Sequence, residues 1–136
     1  MPFVVDASAT LAWCFRDEAT EWSRALLQRI REGEAVRIPA HWSTEVANGL
    51  LVALRRKRLT LDDVLAIIAD LQLLPIVSEA ALTPVSSERV LGLAIQNVLT
   101  LYDAAYLDLA FRLGLPLATL DGDLRKAATA AGVELL

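Results

Sequence analysis

Three apolar residues near the start of the chain, Phe3-Val4-Val5, run straight into a carboxylate, Asp6, and then into the small residues Ala7 and Ser8. An aromatic and two β-branched residues without polar alternation fit a strand buried on both faces, as at the centre of a parallel sheet. Asp6 then falls at the carboxyl end of that strand. In open α/β sheets this edge is where ligands bind, and a carboxylate placed there is costly unless positive charge meets it. Three further acids stand in comparable settings: Glu45, Asp103 and Asp121.

The rest of the chain alternates helix and strand. Ser8 is expected to cap a helix over 9–15, and an amphipathic helix over 19–31 carries Trp22, Leu26, Leu27 and Ile30 on one side. Gly33 stops it, and 35–39 reads as a short strand closed by proline. A third helix over 42–58 has Val46, Leu50, Leu51 and Leu54 in one stripe, with Glu45 and Asn48 sharing a face near its start. Thr60-Leu61-Asp62-Asp63 has capping-box form and opens a fourth helix to about 73. A strand over 75–77 and a helix from Pro84 to about 98 follow. Helix 102–113, strand 116–120, helix 122–131 and a final strand 133–136 complete the chain. No hairpin signal such as Asn-Gly joins the strands, which implies parallel βαβ units. The expected fold is therefore an α/β three-layer α/β/α sandwich around a mostly parallel sheet.

A length of 136 residues matches one domain, 1–136. The hydrophobic share of 55% and mean hydropathy of +0.45 are high for this size, implying apolar surface covered by a partner or a second copy. No apolar run approaches the ~18 residues of a membrane span, because Asp70 and then Gln96-Asn97 interrupt the longest ones. With no basic leader before Phe3, the chain reads as soluble with no membrane partner. Cys14 is the only cysteine, which excludes an intramolecular disulfide and fits a reducing cytoplasm. A net charge of -4 argues against affinity built mainly on phosphate neutralisation, yet leaves nucleic acid open as a substrate. Positive charge is dense at Arg55-Arg56-Lys57-Arg58, for which the simpler reading is a cationic helix C-terminus.

Asp6 and Asp121 leave strands at the carboxyl edge, while Glu45 and Asp103 lie in first turns of helices that start on the same side, so the four can converge. Oxygen ligands without a Cys or His cluster suit Mg²⁺ or Mn²⁺. Zinc is disfavoured, since His41 and Cys14 are single; the same scarcity excludes a two-histidine nuclease and disfavours a Cys/His nucleophile. Each acid also has a local alternative. Asp103 completes a capping box with Thr100, Asp121 can cap the last helix, and Glu45 suits the helix dipole. Asp6 is less easily explained this way. Ser8, Asn48, Thr119 and Asp123 are candidates to support the acids, Thr119 because it shares a strand face with Asp121, or are ordinary turn and cap residues.

The strand ending in Asp6-Ala7-Ser8, then Ser43-Thr44-Glu45-Val46-Ala47-Asn48, Tyr102-Asp103-Ala104-Ala105-Tyr106 and Thr119-Leu120-Asp121, in that order, resembles a PIN domain. The length and helix-rich middle resemble VapC-type toxins of toxin–antitoxin pairs. The resemblance implies a parallel α/β/α sandwich, Mg²⁺- or Mn²⁺-dependent endoribonuclease activity on RNA, and inhibition by a cognate antitoxin. By motif match Asp6, Glu45, Asp103 and Asp121 form the acidic site; Asp123 stands where the family varies. Apolar excess and the helices bearing Trp13 and Trp22 imply an antitoxin groove and a homodimer interface. One rival is a non-catalytic module that keeps only this fold. Another is an aspartate-nucleophile phosphatase or phosphoacceptor, which fits poorly because Ser8 stands where a second aspartate is needed.

Overall fold

The computed structural model describes residues 1–136. In chain order the elements are β1 (Phe3–Val5), α1 (Ala7–Cys14), α2 (Glu21–Arg31), β2 (Val36–Ile38), α3 (Trp42–Arg55), α4 (Leu61–Gln72), β3 (Ile76–Ser78), α5 (Pro84–Asn97), α6 (Leu101–Leu113), β4 (Leu117–Ala118) and α7 (Gly122–Ala130). The strands form one parallel sheet in the order β3-β2-β1-β4. β1 sits inside it, pairing Phe3 with Val36 on one side and Val4 with Leu117 on the other. Phe3, Val4 and Val5 are fully buried, as an apolar run without alternation requires of an inner strand.

The strand order reverses at β1. The chain winds outward through β2 and β3, then crosses back to place β4 on the opposite side. Because parallel crossovers are right-handed, this reversal puts α1 to α4 on one face and α5 to α7 on the other. Accordingly α1 packs on α2 and α3, and α3 on α4, whereas α6 packs on α5 and α7 and lies against β1, β2 and β4. The result is the expected three-layer sandwich. Its core joins β1 and β4 to Leu26 and Ile30 of α2, Trp42, Val46 and Leu50 of α3, and Tyr106, Leu107 and Leu109 of α6. No single helix is long and apolar enough to cross a membrane.

Several boundaries depart from expectation: the strand expected over 116–120 shrinks to Leu117–Ala118, that over 35–39 to Val36–Ile38, and the helix expected from 19 starts at Glu21. Asp6, not Ser8, caps α1, because its carboxylate reaches the Ala9 N–H at 2.9 Å and the helix starts two residues earlier. The third helix stops at Arg55, since Lys57 turns left-handed at φ 60°. The final strand is reduced to a single parallel bridge between Leu135 and Leu117. Within the basic run, Arg55 closes the last turn of α3, as the helix-terminus reading requires. Arg58 is engaged by Asp17 and Glu18 at 3.1 and 3.3 Å and lies 4.6 Å over the Phe15 ring.

Candidate active site

The strand reversal creates a crevice between the carboxyl ends of β1 and β4, the place where open α/β sheets bind ligands. Asp6 leaves β1 there and Thr119, Leu120 and Asp121 leave β4. A compact set of hydrogen bonds ties the two ends together. Asp6 Oδ1 accepts from the Ser8 hydroxyl at 2.7 Å as well as from Ala9 N–H, and Asp6 Oδ2 accepts from the Thr119 hydroxyl. Ser8 Oγ in turn accepts from Leu120 N–H at 3.0 Å, and Thr119 Oγ1 from Asp121 N–H at 3.0 Å. Ser8 and Thr119 thus support Asp6, Thr119 by donating directly rather than by sharing a strand face with Asp121.

The other two acids arrive on helices. Glu45 stands in the first turn of α3, which follows β2, and accepts from the Tyr106 hydroxyl at 2.7 Å. His41 Nε2 lies 3.3 Å from the same Glu45 oxygen. Asp103 stands in the first turn of α6, where its backbone N–H donates to Thr100 Oγ1 at 3.1 Å. Only that half of the expected capping box forms; the Asp103 carboxylate makes no hydrogen bond back to Thr100 N–H and faces the other acids instead. Asp121 does cap α7, accepting from Leu124 N–H at 2.8 Å through Oδ2. Asn48 and Asp123 are exposed and make no side-chain hydrogen bond, so the structure does not draw them into the cluster.

The acids bear on one another's titration. Burial raises the Asp103 carboxyl above its ordinary value, and the negative charges of Asp121, Asp6 and Glu45 raise it further. Asp6 is also raised, by burial first and with a contribution from Glu45, against the lowering effect of its three hydrogen bonds. Glu45 goes the other way: burial pushes it up, but the neighbouring His41 imidazole and the Tyr106 hydrogen bond outweigh this and leave it below the usual range.

Elsewhere in the molecule, buried or half-buried acids are met by arginine. Asp108, Glu34 and Glu79 pair with Arg89 and Arg112, Arg29, and Arg37 at 2.5 to 2.8 Å. Asp6, Asp103 and Asp121 make no such ion pair, although Arg125 Nη1 donates to the Thr119 carbonyl at 3.0 Å, two residues before Asp121. No three acid, histidine or cysteine side chains are drawn close enough to form a finished cage. That fits a small hard cation, which binds through one or two carboxylates and keeps several of its waters. The donor set is all oxygen, and its excess negative charge is unmet; both suit Mg²⁺ or Mn²⁺.

Several supporting residues escape sequence reasoning. The Thr10 hydroxyl donates to the Asp6 carbonyl at 2.9 Å and accepts from Trp42 Nε1 at 3.0 Å, pinning the start of α3 beneath the site. Tyr106 stands three residues after Asp103, a spacing that places both on one helix face, and this was its available signal. Asp108 carries no such signal. It is buried and held by Arg89 and Arg112, and it locks α5 to α6.

A cleft of ≈ 1250 Å³ lies away from the acids and is lined by Trp13, Phe15, Leu27, Ile67, Leu71 and Leu74 among others. Trp22 packs against the core, while its helix reaches the cleft through Leu27, Ile30 and Arg31.

Comparison with known proteins places this geometry. The family model described as PIN domain matches residues 3–130. Ribonuclease VapC12, from two strains of Mycobacterium tuberculosis, is 32% identical over 124 residues, which is 91% of this chain and 90% of the relative. Among solved structures, PAE2754 from Pyrobaculum aerophilum shares the fold with a TM-score of 0.67 at 21% identity, covering 93% of this chain and 84% of that one.

Proposed function

The chain belongs to the PIN domain family, and from that membership we propose that it is a Mg²⁺- or Mn²⁺-dependent endoribonuclease, the toxin of a toxin–antitoxin pair. The observation that carries the proposal is the trio Asp6, Asp103 and Asp121, left without arginine in a protein that pairs its other buried acids. The ribonuclease name of the 32% identical relative supports RNA as substrate.

In this reading one or two of Asp6, Asp103, Asp121 and Glu45 would bind the cation directly and the others would hold its waters. A divalent cation there supplies Lewis acidity, making water nucleophilic at neutral pH and offsetting charge that gathers on the phosphodiester. The chain's own residues prepare the place. Thr119, Ser8 and Ala9 N–H fix the Asp6 carboxylate at the sheet edge. Tyr106 and His41 hold Glu45 in its ionised form, able to orient a water. The Tyr106 hydroxyl is pushed far above its ordinary value by burial and by Glu45, so it acts as a fixed donor and not as a proton source. With one histidine, already beside Glu45, the site works through charge and orientation instead of a histidine acid/base pair.

The partners follow the same reading. We assign the ≈ 1250 Å³ cleft around Trp13 to an amphipathic antitoxin segment, whose apolar face would meet Leu27, Ile67 and Leu71. A second copy would cover the apolar face of α5, where Val85, Leu91 and Ile95 are exposed. A cytoplasmic location accords with an RNA target. The test is incubation of the purified chain with single-stranded RNA and with DNA of the same sequence, in Mn²⁺, in Mg²⁺ and in EDTA. Internal cuts in RNA that need the metal support the proposal. Intact RNA at every metal concentration would leave the non-catalytic module as the better account.

A further inference from the structure

A second, smaller cleft of ≈ 200 Å³ is lined by His41 and Tyr102 together with Leu101, Ala105 and Leu109. Its walls are continuous with the site: Tyr102 precedes Asp103 in the chain, and His41 lies 3.3 Å from Glu45. The two rings meet edge to face, with centroids 5.3 Å apart. His41 is braced from behind by Tyr106, at 5.0 Å. Tyr102 is 59% exposed, an unusual cost for a large aromatic on a surface where nothing in the chain covers it. The acids that border the cleft are already neutralised, Glu79 by Arg37 and Asp108 by Arg89 and Arg112. It therefore offers an apolar, aromatic-walled slot without net repulsion, large enough for one ring system and too small for two.

We infer that this cleft takes one unpaired nucleobase of the RNA substrate, from a nucleotide flanking the scissile phosphate, stacked against Tyr102 and His41. The inference rests on the ribonuclease reading. A backbone phosphate drawn to the acids leaves the neighbouring base within reach of the Tyr102 ring. Single-stranded RNA is commonly held by stacking of splayed bases on Tyr and His. A flat π face tolerates any base, so the slot positions the strand and the polar groups at its rim, Glu79 and Arg112, are placed to bias which base enters. Tyr102 and His41 are thus substrate-binding residues, distinct from the four acids.

The test uses the full chain, Mn²⁺ and a short single-stranded RNA with one mapped cut. Tyr102→Ala removes an exposed ring and should leave the fold and its melting temperature intact. It is expected to raise KM about 5- to 150-fold, the range that base–aromatic stacking spans, with kcat changed less than about threefold. Tyr102→Phe keeps the ring and should stay within about threefold of wild-type KM, whereas Tyr102→Leu should resemble the alanine variant. An abasic nucleotide on the correct side of the cut should raise wild-type KM similarly and add nothing further in Tyr102→Ala. Failure of wild type to cut any RNA would overturn the ribonuclease reading and this inference with it. With wild type active, three results would overturn this inference alone: an unchanged KM in Tyr102→Ala, additive losses with the abasic substrate, or a loss confined to kcat, which would mean that Tyr102 only props His41.

Discussion

Replacing Asp103 with asparagine should stabilise the metal-free protein and remove most of its response to metal. Asp103 is raised by burial and by the charges of Asp121, Asp6 and Glu45. With water-like screening, a like charge several ångströms away contributes ~0.5 kcal/mol of repulsion. The hydrogen bonds that Glu45 receives soften its share, leaving ~1 kcal/mol in all. Against this, the variant loses the attraction of a carboxylate for the α6 N-terminus, ~0.5 kcal/mol for a half-exposed group. The Thr100 cap survives, because it uses the Asp103 backbone N–H and not its side chain. The net gain is ~0.5 kcal/mol, or ~2 °C in Tm for a chain of this length. A folded pKa above the unfolded one also sets the pH dependence. In EDTA, wild-type stability should rise as pH falls from neutral through the raised value and level off below the ordinary carboxylate range, while Asp103→Asn should lack that part of the rise. With Mn²⁺ at a hundredfold excess over its dissociation constant, wild type should gain ~2.7 kcal/mol, some 10 °C, and the variant clearly less. Differential scanning fluorimetry of both proteins, in EDTA and in Mn²⁺, reads all of this. A variant that melts lower than wild type in EDTA and gains as much from Mn²⁺ would refute the reasoning and return Asp103 to the role of a helix-start residue.

Asp108→Asn should cost ~2 kcal/mol by chemical denaturation, since it weakens charge-assisted bonds from both Arg89 and Arg112. Although burial raises the Asp108 carboxyl, the two arginines hold it below its ordinary value, so wild type should lose this stability as pH falls through the folded value, and a variant with the same acid-side slope would refute the assignment. Thr119→Val keeps the shape but strips a buried donor from Asp6; it should lower metal affinity about 10- to 100-fold by calorimetry and cost ~1 to 3 kcal/mol. Val98 is a β-branched residue at φ 53° on the surface at the end of α5, so Val98→Asn should raise stability by ~1 kcal/mol without touching cleavage.

Much of the fold was legible because β1, β2 and the helices obey their own periodicity. Phe3-Val4-Val5 announced an inner strand, and the Thr60 and Asp63 cap formed as written. The ends of elements were less legible, since competing local chemistry decides them. Asp6 and Ser8 are both good caps, and the one that won also anchors to Thr119, a residue 113 positions away, through a bond no local pattern encodes. The final strand stays a single bridge because Glu134 and Leu136 bond only Leu117 of β4. At the site, the acids could be named because each sits at a strand end or helix start on one edge of the sheet. Their local alternatives are real as well, since Asp6 and Asp121 each cap a helix with one oxygen. Long-range partners stayed hidden. Nothing near Glu45 in sequence points to Tyr106, and Trp22 looked like a groove residue because amphipathicity does not say whether a ring meets a cleft or a core.

The central claim, that Asp6, Glu45, Asp103 and Asp121 form one metal-dependent ribonuclease centre, is tested most directly by the rate of RNA cleavage in Mn²⁺ for wild type, Asp6→Ala and Asp62→Asn. Asp62 is exposed in the first turn of α4, remote from the crevice, and controls for loss of a surface carboxylate. The account predicts that Asp62→Asn cuts at the wild-type rate, that Asp6→Ala falls to the level of wild type in EDTA, and that both variants remain folded by circular dichroism. A folded Asp6→Ala protein that cuts RNA at the wild-type rate, or a wild type indifferent to EDTA, would contradict it.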